Sequence, residues 1–142
     1  MAKSLLYRLF GVGKIAEPLM SQLNAEGVIL FDEGVKGSVT YHNFRAPGKA
    51  FSWKRQGFAG SIALTKLRLV AVAYSKFLIN VPLGDERVRA MHYSVEGNGA
   101  FCVAFDAALF HDDWFGTIEY RFKTPEATRL VELLQKQGKL SS

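Results

Sequence analysis

The sequence has little with which to cross-link itself. One cysteine, Cys102, stands among 142 residues, so no intramolecular disulfide is available. It sits in the run Phe101-Cys102-Val103-Ala104-Phe105 without a basic neighbour, and so reads as an inert core thiol rather than a nucleophile. Such cysteine usage suits a reducing compartment. Prolines number only four, and no repeat, low-complexity tract or Pro/Gly/Ser linker divides the chain. Its length is that of one domain. No apolar stretch approaches the roughly 20 residues that span a bilayer. The N-terminal run Ser4-Leu5-Leu6-Tyr7-Arg8-Leu9-Phe10 is interrupted by Arg8 and lacks a small-residue cleavage signature, so no secretory signal is expected. The expected location is cytoplasmic, with a peripheral position at the inner face of a membrane open to it.

Catalytic signatures are equally scarce. Gly11-Val12-Gly13-Lys14 lacks the preceding strand, the full glycine spacing and the hydroxyl residue of a phosphate loop. No Gly-x-Ser-x-Gly elbow occurs. His42, His92 and His111 are far apart and lack metal-ligand spacing. The compact cluster His111-Asp112-Asp113 reads as a solvated acidic turn rather than a cation site. The carboxylate pairs Asp32-Glu33, Asp85-Glu86 and Asp112-Asp113 look like turn or strand-end residues rather than an acid–base pair in a cleft. Asp85-Glu86 has Arg87 and Arg89 close by, as in a surface ion pair. The sequence thus points away from an enzyme, and implies no metal and no cofactor.

What is abundant is β-forming material: eleven Phe, five Tyr, two Trp and thirteen Gly. Residues 1–27 read as a helical lead packed on a domain of residues 28–142. Pro18 suits a first helical position, Leu19, Met20 and Leu23 share a side, and Gly27 is a natural stop. Strand patterns follow over residues 28–31, 35–45, 51–65, 68–74, 77–83, 88–95 and 100–105. Ala46-Pro47-Gly48-Lys49 and Glu96-Gly97-Asn98-Gly99 mark turns, and Gly57 and Gly60 suggest a bulge or sharp bend. After a loop over residues 107–113, Gly116, Ile118, Tyr120 and Phe122 alternate with Thr117, Glu119, Arg121 and Lys123, as in a half-buried strand. Thr124-Pro125-Glu126 then caps a helix whose Ala127, Leu130, Val131 and Leu134 share one face and which Gly138 is expected to end. The expected class is α+β, mainly β: about seven antiparallel strands, a short helical lead and a C-terminal helix.

This order resembles the pleckstrin-homology (PH) superfold, in particular GRAM domains and bacterial PH-like domains. The residues that carry the likeness are Gly60-Ser61-Ile62-Ala63-Leu64-Thr65, Arg68-Leu69-Val70 and Phe77-Leu78-Ile79-Asn80-Val81-Pro82-Leu83. GRAM-like sequences have a similar glycine, apolar, Leu-Thr, Arg-Leu strand pair followed by an apolar-Pro-Leu strand. The resemblance implies a bent, partly closed barrel plugged at one end by the C-terminal helix, with the first strands and their loop at the open, ligand-accepting end. Phosphoinositide-binding PH domains place a lysine and then a basic-x-Arg pair across those strands. Here Lys49 is followed by Lys54-Arg55, with Gly57 where the last arginine would stand. Lipid binding therefore does not follow from the fold alone.

Charge placement adds an independent signal. The formal net charge is +5. Residues 36–76 hold Lys36, Arg45, Lys49, Lys54, Arg55, Lys66, Arg68 and Lys76 and no acid, where roughly four acids would be expected from the chain's average. Arg45, Lys49, Lys54 and Arg55 flank the Pro47-Gly48 turn and are the candidate anion-binding residues. Phe51 and Trp53 lie between them and suit a membrane interface, if they are not core. Trp114-Phe115 is a second candidate contact for a membrane or an extended peptide.

The leading expectation is a non-catalytic binding module whose basic end engages an anionic phospholipid headgroup or an acidic protein surface. The alternative is a protein-interaction or self-assembly module without lipid binding, acting on a protein partner or as a homo-oligomer. A small-molecule carrier or enzyme with an α+β cavity fits less well, because one long helix follows the strands where helix-grip and cystatin-like folds hold long helices against a curved sheet. Nucleic acid is disfavoured: no RNA-binding motif, zinc signature or recognition helix accompanies the basic residues.

Overall fold

A computed structural model describes residues 17–74 and 76–140, with the side chains of residues 18–74 and 76–136. The reading of residues 1–16 as helical, with its charges Lys3, Arg8 and Lys14, lies outside the described residues. The chain is mainly β. Helix α1 (Glu17–Glu26) leads into β1 (Val28–Ala46), β2 (Lys49–Thr65), β3 (Arg68–Ala73) and β4 (Lys76–Pro82). A helical turn, α2 (Arg87–Ala90), precedes β5 (His92–Val95), β6 (Ala100–Asp106), a short 3-10 turn (Ala107–Leu109), β7 (Phe115–Lys123) and helix α3 (Ala127–Leu140). The strands form one antiparallel sheet in the order β4-β3-β2-β1-β7-β6-β5.

That order is two hairpin meanders joined where β1 pairs with β7, from Gly37↔Phe122 to Arg45↔Phe115. In a flat sheet β4 and β6 would lie about 24 Å apart, at about 4.8 Å per strand. Yet Ile79 and Val81 of β4 belong to one buried cluster with Phe101 and Val103 of β6 and Leu130 and Leu134 of α3. The sheet is therefore strongly bent around its own core, with α3 packed against β5 and β6.

Strand alternation divides the apolar residues between two layers. Ile62, Leu64, Leu69, Ala71, Ile79 and Val81 face the main core. Their neighbours Ala63, Val70 and Val72 face outward and pack with Leu23 of α1, against which Leu19 and Met20 also lie. Burial on both faces explains why the sequence of β3 reads as an uninterrupted apolar run. A two-point latch holds α1 there: Arg68 Nη2 lies 2.9 Å from Glu26 Oε2, and Arg68 Nε donates to Glu26 Oε1 at 3.0 Å. The Thr65 hydroxyl also donates to Glu26 Oε1, at 2.9 Å.

Several expected boundaries shift. The runs 28–31 and 35–45 are one strand, whose register against β2 slips between Val28 and Leu30 and again between Glu33 and Val35, where Gly34 is the extra residue. The register is continuous through Gly57, whereas Gly60 stands at the slip, opposite the extra residue of β1. Gly60 also permits a close approach, since a Cβ there would stand 2.5 Å from the Val72 carbonyl oxygen. The first part of the expected strand 88–95 is the helical turn α2. Asp85 Oδ1 accepts from the Arg87 backbone N–H at 2.9 Å, and Val88 N–H donates to the Asp85 carbonyl, so a local turn at Asp85 overrides an apolar pattern too short to discriminate. Gly138 does not end α3, which continues to Leu140. One helical glycine costs about 1 kcal/mol, too little to stop a helix by itself.

Asp32 is the largest departure. Expected at a turn or strand end, it lies within β1 opposite Ile62 and is buried. The Thr124 hydroxyl donates to Asp32 Oδ2 at 2.7 Å and accepts from the Glu126 backbone N–H at 3.2 Å. The cap expected of Thr124 thus also ties the start of α3 to β1.

Candidate functional site

The β1–β2 hairpin turns at Pro47-Gly48, between Ala46 and Lys49, which pair across it. Proline first and a glycine at φ +75° second is the residue pair a type II turn takes. Below the turn, Phe44 is buried in an aromatic cluster. Its ring lies 4.8 Å from Tyr41, 6.0 Å from Phe51 and 5.4 Å from Trp114. Trp114 in turn stacks on His111 at 3.7 Å. Phe51 and Trp114 are half-buried supports of the hairpin, whereas Trp53 and Phe115 are 60% and 61% exposed. Each aromatic pair from the sequence is thus divided into one packed member and one that faces solvent.

The four candidate cations are divided as well. Arg45 and Phe115 are cross-strand partners, and with Asn43, Ala46, Pro47 and Asp113 they line a shallow depression of about 640 Å³. Lys49 is exposed at the turn. The Lys54 ammonium lies 4.4 Å from the centre of the Phe51 ring, a cation–π arrangement. Arg55, next along the strand, points to the opposite face and lines a second depression with Lys36, Arg121 and Lys123. Neighbours in sequence are separated here by the pleat of the strand. The hairpin end holds Arg45, Lys49 and Lys54, and Arg55 stands apart.

Arg121, which the sequence reading left on a solvent face, is the most constrained of these cations. Its Nε donates to Glu96 Oε1 at 2.7 Å, Nη2 to Glu119 Oε2 at 2.7 Å and Nη1 to the Thr40 hydroxyl at 3.2 Å. Glu119 also lies 3.4 Å from His42 Nε2. The β7 alternation places Arg121 and Glu119 together on this face, but its other partners, Thr40 of β1 and Glu96 just after β5, lie beyond the reach of local sequence spacing.

Other candidates have plain structural settings. Cys102 is buried, and burial pushes its thiol pKa up. Asp85 and Arg87 form an ion pair at 2.7 Å, which holds the Asp85 carboxyl below its ordinary range. Asp112, Asp113 and His111 are exposed, and among the described residues no His, Cys, Asp and Glu gather as a metal site would need. Among those residues, too, no helix is long and apolar enough to cross a membrane.

No family model matches the chain, and no curated protein matches it at a significant level.

Proposed function

We propose that this chain is a non-catalytic binding module of the PH/GRAM type, which docks on an anionic membrane through the end of its β1–β2 hairpin. The observation that carries the reading is the gathering of Arg45, Lys49 and Lys54 at this hairpin end, with the exposed ring of Phe115 beside Arg45 and that of Trp53 on the strand face opposite Lys54. Cations draw the hairpin to anionic headgroups, and an exposed tryptophan suits the headgroup layer. The segment 36–76, which builds most of the β1–β2–β3 side of the sheet, carries no carboxylate, and in the lining of the hairpin-end depression Asp113 alone opposes the attraction. Two joined meanders followed by a C-terminal helix also agree with the element order of the PH superfold.

Co-sedimentation with phosphatidylcholine vesicles, with and without phosphatidylserine, tests this at low and at physiological salt. Binding is expected only to the anionic vesicles and should weaken as salt rises. Each lysine near the surface contributes about 1 kcal/mol, so Lys49→Glu with Lys54→Glu should weaken binding by roughly a hundredfold or more. Trp53→Ala should weaken it without changing the salt dependence. Binding to neutral and anionic vesicles alike, or binding indifferent to the charge reversals, removes the hairpin end as the docking site. Absence of vesicle binding together with salt-insensitive self-association would instead favour assembly through β4, whose Phe77 is exposed and which pairs only with β3 among the described residues.

A further inference from the structure

On the outer face of the sheet, away from the hairpin end, Lys36, Arg55, Arg121 and Lys123 surround a depression of about 160 Å³, with Ser38 and Asn98 in its lining. We propose that this depression is a second binding site, for a phosphomonoester group.

Its chemistry is one-sided. No carboxylate lines it, and among the described residues Lys36, Arg55 and Lys123 form no ion pair. Asn98 Oδ1 is engaged by the Ala100 backbone N–H at 3.2 Å, which leaves its amide N–H groups to face a ligand. Lysine and arginine can only donate, so the lining calls for a ligand rich in acceptors. The volume is well below the roughly 300 Å³ at which pockets for drug-sized ligands begin, so it suits a compact group.

The charge balance narrows the class. Arg121 is held by Glu96 and Glu119, a triad of formal charge −1. With Lys36, Arg55 and Lys123 the neighbourhood carries +2, which a phosphomonoester dianion, at about −1.5 to −2 near neutral pH, complements. The two carboxylates also fix the Arg121 guanidinium before any ligand arrives, so little ordering cost remains for that wall. Small residues line it between the cations, Gly37, Ser38 and Ala100, and Gly57, the cross-strand partner of Ser38, adds no side chain beside them.

Inorganic phosphate is the first probe, followed by amide NMR on the whole chain against sodium chloride of equal ionic strength. Saturable shifts are expected at residues 36–38, 98–100 and 121–123. Arg55→Gln and Lys123→Gln should each weaken phosphate binding by roughly tenfold, the scale of one charge-assisted hydrogen bond. Lys76→Gln, on β4 and outside the lining of either depression, should leave it unchanged. The side chains of Arg55 and Lys123 are exposed, and an unaltered amide spectrum elsewhere verifies that each variant is folded. Phosphatidylcholine vesicles with a phosphatidylinositol phosphate identify the source of the group. If they are released by free phosphate and need Arg55, the site takes a lipid headgroup; if only free phosphate binds there, it takes a soluble phosphomonoester, and either result supports the site. Shifts that never saturate, that match the chloride control, or that survive both substitutions overturn it. Vesicle binding that needs Lys49 and Lys54 but not Arg55, with no saturation by phosphate, overturns this site and leaves the hairpin reading intact.

Discussion

At the scale of single residues, the buried Asp32–Thr124 contact is the point where one hydroxyl serves two elements. It donates to a carboxylate inside β1 and accepts the backbone N–H of Glu126 at the start of α3. Thr124→Val keeps the shape and removes both functions. The variant should lose about 1–3 kcal/mol of unfolding free energy, the cost of leaving a buried polar group short of a partner, whereas Thr124→Ser should recover most of it. Denaturant titration of the three proteins measures this; equal stability of the valine variant and the parent would mean that the contact is energetically idle. The cap at Thr124 was legible, because a hydroxyl residue, a proline and an acid precede an apolar helical period. Asp32 was not. Its apolar flanks suited a strand, but only the partner 92 positions away makes its burial tolerable.

At the scale of elements, α1 stays on the sheet through Leu23 and the Glu26–Arg68 latch. Hydrogen bonding from Arg68 holds the Glu26 carboxyl below its ordinary value of 4.5. A carboxylate depressed on folding contributes stability above its unfolded pKa, and that contribution fades as pH falls through the lower folded value. Docking of α1 should therefore hold at neutral pH and weaken as the pH drops below about 4.5, the ordinary value for Glu26. Glu26→Gln should cost about 1–2 kcal/mol at neutral pH and almost nothing in acid, where parent and variant converge. Unfolding free energies of both proteins across that range, with the Leu23 amide as a local reporter, check the sign; a difference that stays constant with pH would refute the latch. The hairpins at Pro47-Gly48 and Gly97-Asn98-Gly99 could be read locally because their turn residues set the backbone. The α2 turn could not, since four residues carry too little periodicity to separate helix from strand.

At the scale of the whole molecule, one core joins both meanders and α3, so a cavity at its centre should be felt throughout. Phe122 is fully buried, with its ring 5.5 Å from that of Phe58 on β2 and 6.3 Å from that of Phe101 on β6. Phe122→Ala should cost about 3–5 kcal/mol and lower the stability of β2 and β6 together. Hydrogen exchange resolved by strand tests this, and loss of protection confined to β6 and β7 would show that the two meanders unfold separately. The same bending shapes the charged surface: cations from β1, β2 and β7 converge on the outer depression although they lie as far apart in sequence as Lys36 and Lys123.

The class of the fold, its turns, the capped C-terminal helix and the acid-free basic segment were determined by the sequence itself. Each rests on periodicity, turn chemistry or composition within a short window. Which cations act together was decided only by the tertiary structure. Strand pleating sends Lys54 and Arg55 to opposite faces, and the β1–β7 pairing that closes the two meanders brings Arg121 and Lys123 beside Lys36 and Arg55. Long-range strand pairing, unlike local propensity, leaves no mark at any one position of the chain.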